Sequence, residues 1–118
     1  MATLIIANWK SQMLEKQSQA WVADMKTALA AASQKVVICP PFTLLSSLAD
    51  GSLVLGAQDI SPFGMGAYTG EVNGEQIKEF ASYVLIGHSE RREYFKEDDA
   101  LLEKKVTMAK EHGLIPVF

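Results

Sequence analysis

The feature that most limits what this chain can fold into is a series of short apolar runs that do not alternate with polar residues. Leu4–Ala7, Val36–Cys39, Leu53–Ala57, Tyr83–Gly87 and Leu114–Phe118 are too short for core helices. They also lack the period-two pattern of a strand with one wet face. Such runs fit strands buried on both faces, as in parallel sheets. The intervals between them read as helices. From Leu14 to Ala32, the residues Trp21, Met25, Ala28, Leu29 and Ala32 share one helical face. Pro41 to Ala49 fits a short helix that turns Leu45 and Leu48 inward. Asn73, with Gln76 three residues on, resembles a capping pair opening a helix that buries Ile77, Phe80 and Ala81. Asp98 and Asp99 suit the start of a helix that buries Leu102, Val106 and Ala109 and stops at Gly113. The order β-α-β-α-β-α-β-α-β requires parallel strands joined by right-handed crossovers.

The totals narrow the functional classes. A chain of 118 residues, 48% apolar, suits one globular domain spanning 1–118. A net charge of −3 leaves no footprint for nucleic acid or an anionic membrane surface. No run approaches the ~20 apolar residues of a bilayer span. Met1-Ala2-Thr3 leads into a strand without a basic prefix, so no signal peptide is expected. The single cysteine, Cys39, rules out an internal disulfide, and its apolar neighbours favour a buried, inert thiol. Together these point to the cytoplasm.

Parallel α/β folds carry their chemistry at the carboxyl ends of the strands. That rule gathers Asn8 and Lys10, Gln58 and Asp59, and His88, Ser89, Glu90 and Arg91 on one rim. Asn8 and Lys10 can point the same way if the segment stays extended. An ammonium there would hold an anionic ligand and stabilise developing negative charge. A solvated surface lysine beside a turn asparagine accounts for the same spacing. His88 is either a hydrogen-bonded structural residue or a ring kept neutral by the N–H groups of a helical turn opening at Ser89. A neutral ring can donate to a carbonyl oxygen. Glu90 is close enough to orient Lys10; the plain alternative for Glu90 and Arg91 is a surface ion pair. His112, in the last turn of its helix at the opposite end of the sheet, reads as structural. No HxxxH, CxxC or GxGxxG spacing occurs, so neither a metal site nor a dinucleotide cofactor is supported. The loop Ile60–Asn73, long and rich in glycine and proline, has the character of a functional or interface element.

Taken together, ANWK (Ala7–Lys10), CPPFTLL (Cys39–Leu45), GAQDIS (Gly56–Ser61), GAYTGEV (Gly66–Val72), YVLIGHSERREYF (Tyr83–Phe95) and GLIPV (Gly113–Val117) resemble the triosephosphate isomerases. The resemblance runs over essentially the whole chain but only the first half of the family's sequence. It implies part of a (βα)8 TIM barrel, with about five parallel strands and four helices. It also implies cofactor-free interconversion of dihydroxyacetone phosphate and glyceraldehyde 3-phosphate in glycolysis and gluconeogenesis. On this resemblance Asn8 and Lys10 bind substrate, and Lys10 also acts electrostatically. His88 becomes the neutral electrophilic histidine, of which this family is itself the standard example, and Glu90 the carboxylate beside it. Gly66–Val72 resembles the finger that one subunit inserts beside the other's Asn and Lys. Thr69 forms its tip, Glu71 and Arg91 support it by ion pairing, and Gln58 sits at its base. The family's glutamate base, closing lid and phosphate-gripping loops have no counterpart here.

A barrel of this class takes about 250 residues. An incomplete one is expected to leave strands one and five as open edges and its inner lining in water. Exposing several hundred square ångströms of apolar surface would forfeit on the order of 10 kcal/mol. The chain is thus expected either to be completed by a C-terminal polypeptide, as a split isomerase, or to act as a non-catalytic, self-associating module. A flavodoxin-like five-stranded ligand-binding domain uses the same β-α order with a rearranged sheet.

Overall fold

A computed structural model describes residues 2–118. All five apolar runs are strands: β1 (Leu4–Asn8), β2 (Lys35–Cys39), β3 (Val54–Ala57), β4 (Tyr83–Leu85) and β5 (Ile115–Val117). They pair in parallel in the order β1-β2-β3-β4-β5 and curl into an arc of a β/α barrel. Sequential order excludes the rearranged flavodoxin-like sheet. Pro116 fits β5 because Ile115 N–H and the Val117 carbonyl make the bonds to the β4 side, which leaves its missing donor facing away.

The crossovers are α1 (Glu15–Ala31), α2 (Phe42–Leu48), α3 (Gly74–Lys78) and a broken fourth, α4 (Ser89–Tyr94) followed by α5 (Asp99–Glu111). The expected four helices are therefore five. The break has a local cause: Lys96 adopts a left-handed φ of 56°, and Asp98 caps a fresh helix by accepting the Leu101 N–H at 2.9 Å. Asn73 and Gln76 form the expected reciprocal cap, at 3.1 Å in each direction. Helix α3 ends at Lys78, yet Ile77, Phe80 and Ala81 all pack on the core as expected.

Helix α1 departs further from expectation. Its inward stripe is Ser18, Trp21, Val22 and Leu29, whereas Met25, Ala28 and Ala32 are exposed. Ser18 tolerates full burial because its hydroxyl donates to the Glu15 carbonyl at 2.7 Å. Trp21 meets Trp9 edge-on, with ring centroids 5.1 Å apart.

Alternate strand residues feed two separate cores. Ile38, Leu55, Ala57, Val84 and Ile86 pack outward against the helices, with Leu44, Leu48, Ile77, Leu102 and Ala109. Val37, Cys39, Tyr83 and Leu85 cluster on the inner face with Ile6 and Val117. This corrects part of the expectation of a wet inner lining: Leu4, Val54 and Ile115 on the same face are exposed, but Val37 and Cys39 are fully buried. The cause is Gly56. A Cβ there would lie 2.6 Å from the Cys39 sulfur and 3.2 Å from Tyr83 Cβ, so β2 and β4 side chains close over a gap only glycine leaves. Leu4, Ile5, Ile115 and Phe118 at the ends of the arc are exposed, as are Val54 within the sheet and Leu14, Met65, Tyr94 and Phe95 outside it. Burial pushes the Cys39 thiol up to about 11, so the protonated, unreactive form dominates at neutral pH.

Gly56→Ala should destabilise the chain by about 1–3 kcal/mol through overpacking. Because the shortest contact is with the Cys39 sulfur, the cost should shrink by about 1 kcal/mol in a Cys39→Ala background. Equal costs in both backgrounds, measured by denaturant unfolding, would contradict this packing.

Candidate active site

The carboxyl ends of β1 to β4 converge on an open cleft of about 420 Å³ lined by Asn8, Lys10, Phe42, Gln58, His88 and Glu90, among others. Of the residues the rim rule singled out, all but Ser89 line this cleft.

Strand β1 ends at Asn8, and the Trp9 N–H continues the ladder to the Cys39 carbonyl at 3.0 Å. The chain then turns sharply, because Lys10 has φ 58°, a conformation that costs an L-residue about 1–2 kcal/mol. The expected extended geometry, with Asn8 and Lys10 on one side by alternation, is therefore not what unites them. Asn8 Oδ1 instead turns back to accept the Lys10 N–H at 2.9 Å. Gln58 Nε2 donates to the Lys10 carbonyl and to the Cys39 carbonyl, both at 2.8 Å. From this turn Lys10 Nζ reaches Glu90 Oε1 at 2.8 Å. The hydrogen bond and charge of Glu90 raise the Lys10 pKa, and the Lys10 hydrogen bond is the largest cause holding Glu90 below its ordinary range.

His88 stands at the N-cap of α4, where its Nδ1 accepts the Glu90 N–H at 3.1 Å. A nitrogen that accepts has its lone pair free, so this geometry assigns the neutral ring's proton to Nε2. The 3.6 Å approach of Nδ1 to Glu90 Oε2 is then a contact rather than an ion pair. Among the described residues Nε2 has no hydrogen-bond partner.

Arg91 faces away from Glu90. Its Nε donates to Glu97 Oε2 at 2.7 Å and lies 3.3 Å from Asp59 Oδ2, and its guanidinium stacks 4.5 Å above the Phe95 ring. Lys105 Nζ joins the same cluster, 2.7 Å from both Asp59 Oδ1 and Glu97 Oε2. Lys105 and Glu97 are both buried, and sequence reasoning missed both. Lys105 did leave a signal, since it falls on the apolar stripe of α5 between Leu102 and Ala109. Glu97, beside a capping aspartate, left none.

Thr69 and Glu71 lie in the exposed loop and do not line the cleft. The loop is braced internally: Phe63 and Tyr68 stack at 4.2 Å, the Glu71 N–H donates to the Tyr68 carbonyl, and the Ser61 N–H donates to the Val72 carbonyl. Within this chain Arg91 is engaged by Glu97 and Asp59, and Glu71 makes no ion pair with it. His112 caps α5, with Nδ1 2.8 Å from the Met108 carbonyl, and its ring occupies the space a side chain at Gly74 would need. Among the described residues no group of three or more His, Cys, Asp or Glu side chains is placed to hold a metal ion. No helix among them is long and apolar enough to cross a membrane.

A curled, all-parallel sheet wrapped by helices, with a polar cleft at its strand carboxyl ends, defines a protein of the β/α-barrel class. The family model described as triosephosphate isomerase matches residues 3–118. The triosephosphate isomerase of Chloroflexus aurantiacus is 41% identical over 120 aligned residues, covering 97% of this chain and 48% of that protein. The one from Herpetosiphon aurantiacus is 44% identical, with the same coverage of each chain. The crystal structure of the Bartonella henselae triosephosphate isomerase superposes with a TM-score of 0.87 at 33% identity, over 98% of this chain and 50% of that one. The chain belongs to the triosephosphate isomerase family, matches its N-terminal half, and spans about half the length of the curated relatives it matches.

Two measurements test the buried cluster. Lys105→Met should cost about 3 kcal/mol, since it strands Glu97 and Asp59 with one cation fewer. Burial alone would raise the Glu97 pKa, but hydrogen bonds and charge from Lys105 and Arg91 prevail and hold it below 4.5. A depressed folded-state value stabilises the chain above the unfolded pKa, and that contribution fades as pH falls through the folded one. Wild type should therefore exceed Glu97→Gln in stability at neutral pH, with the gap closing at pH values below 4.5. A gap that stays constant on acidification would refute the ion-pair assignment.

Proposed function

We propose that this chain supplies the oxygen-polarising part of a triosephosphate isomerase site and that a C-terminal polypeptide supplies the proton-transferring base. One observation carries the division of labour: the carboxylates lining the cleft are already spent. Glu90 is held by Lys10, and Asp59 by Lys105 and Arg91. Lys10 lowers the proton affinity of Glu90, which makes it a poor base for carbon, and Asp59 is tied to two cations. The remaining donors suit the complementary task.

In the reaction, dihydroxyacetone phosphate loses a proton from the carbon next to its carbonyl. The electron pair moves onto the carbonyl oxygen, the proton of the adjacent hydroxyl passes to that oxygen, and a proton returns to the former carbonyl carbon to give glyceraldehyde 3-phosphate. His88 Nε2–H donates to the oxygen that gains charge, Lys10 offsets the negative charge, and the Asn8 amide contacts the bound substrate. Glu90 keeps the ammonium in place when substrate is absent. None of these steps calls on a cofactor. The exposed loop around Thr69, Glu71 and the Phe63–Tyr68 stack is the proposed contact with a second copy in the assembled enzyme, with Arg91 and Gln58 behind it. The reading places the protein in the cytoplasm, in glycolysis and gluconeogenesis. The second reading is a self-associating, non-catalytic half-barrel; the exposed Leu4, Ile115 and Phe118 at the ends of the arc favour it.

Mixing the 118-residue chain with a polypeptide carrying the second half of a relative's sequence should produce isomerase turnover absent from either alone. Lys10→Met or His88→Gln should lower the reconstituted kcat/KM by about 100-fold or more, the usual cost of one charge-stabilising donor. A well-formed complex without turnover, alongside a discrete homo-oligomer by native mass measurement, would favour the second reading. Turnover indifferent to Lys10→Met would refute the first.

A further inference from the structure

We propose that Gln58 is a positioning residue for Lys10, holding the backbone from which the ammonium reaches the cleft; the functional weight of this rests on the isomerase reading above.

The inference starts from strain. Lys10 occupies the left-handed region at φ 58°, where a lysine gains nothing intrinsic to offset the crowding of its Cβ. Something outside the residue must hold it there. Its N–H is taken by Asn8 Oδ1 at 2.9 Å, only two residues away at the end of the same strand. Its carbonyl is taken by Gln58 Nε2 at 2.8 Å, from another strand end. The second N–H of that carboxamide is satisfied by the Cys39 carbonyl, also at 2.8 Å, so a single side chain ties the β1 turn to the ends of β2 and β3. Both donors are used, and the orientation of the amide is fixed.

The anchor is itself anchored. Asp59, the next residue, is held by Lys105 and Arg91, and Arg91 is adjacent to Glu90 on α4. The contacts therefore close a ring: Glu90 to Lys10 through the ion pair, Lys10 to Gln58 through its carbonyl, Gln58 to Asp59 along the chain, Asp59 to Arg91, and Arg91 back to Glu90. With both ends of the Lys10 backbone pinned, only its side-chain torsions remain free, and those are spent in reaching Glu90 at 2.8 Å. Releasing the carbonyl would let the turn relax toward an ordinary φ and carry Nζ away from Glu90 and the cleft.

The test is a pH titration of individual lysine amines in the 118-residue chain by 15N-detected NMR, with Lys10 assigned by its loss in Lys10→Arg. Gln58→Met keeps the volume and removes both donors. The expected result is a drop of about threefold or more in the proton affinity of Lys10, toward that of the exposed lysines. The buried Lys105 signal should not move, which separates loss of positioning from loss of fold. An unchanged Lys10 titration in a variant that keeps its Lys105 signal overturns the inference. If Gln58→Met does not fold, exchange of the Gln58 amide protons in wild type decides. Protection of both supports the two carbonyl partners, and exchange as fast as a free carboxamide overturns them. Neither readout needs turnover, so reconstitution can succeed while Gln58 proves passive, or fail while Gln58 proves to hold Lys10.

Discussion

Parallel hydrogen bonding between consecutive strands is the constraint on which everything else in this chain depends. Because β1 to β5 run the same way in sequential order, each strand delivers the residues after it to one rim. Asn8, Gln58 and His88 are 50 or more residues apart in places, yet none needs a special loop to meet the others. The packing of the inner face follows from a second, smaller constraint. Gly56 places no side chain at the centre of the inner face, so Val37, Cys39 and Tyr83 close over it and are buried there.

On that frame the rim is organised by charge. Two ion-paired groups, Lys10 with Glu90 and Arg91 with Asp59, Glu97 and Lys105, meet at neighbouring residues of α4. They differ in kind. The first is half exposed, where water weakens it and a ligand can compete for it. The second is anchored on the buried Lys105–Glu97 pair, with Asp59 and Arg91 partly exposed, and its worth lies mainly in the penalty of breaking that pair. The arrangement pairs a yielding contact that faces the cleft with an unyielding one behind it. Among the described residues it also leaves one buried oxygen, Glu97 Oε1, without a partner, a cost the cluster bears.

Much of this was legible in the sequence because it is dictated by local chemistry. Non-alternating runs such as Val36–Cys39 have few options other than doubly buried strands, and the Asn73–Gln76 pair announces its own helix. The strand-end rule then named the charged residues of the cleft with Asn8, Gln58 and His88, though not Ser11, Thr43, Phe42 or Phe95 beside them. What escaped depends on tertiary contact. A face drawn through Met25 and Ala28 mistook composition for orientation, because Ser18 can be buried by bonding its own helix. The left-handed turn at Lys10 has no glycine to mark it, since its stabilisation comes from Gln58, 48 residues away. Lys105 reads as a solvated charge until the two carboxylates that pay for its burial are in place. The break between α4 and α5 is hidden for the same reason: Lys96 has an ordinary helical side chain and an unhelical φ.

The central claim is that this chain by itself presents a prearranged donor to a ligand oxygen, through the orientation of His88 at the head of α4. The ring nitrogens report on this directly. In 15N NMR of the chain, at a pH where the imidazole is neutral, Nδ1 should show the shift of an unprotonated acceptor and Nε2 that of a proton carrier. The opposite tautomer, with the proton on Nδ1 and Nε2 bare, would mean that the cleft offers an acceptor where the account requires a donor.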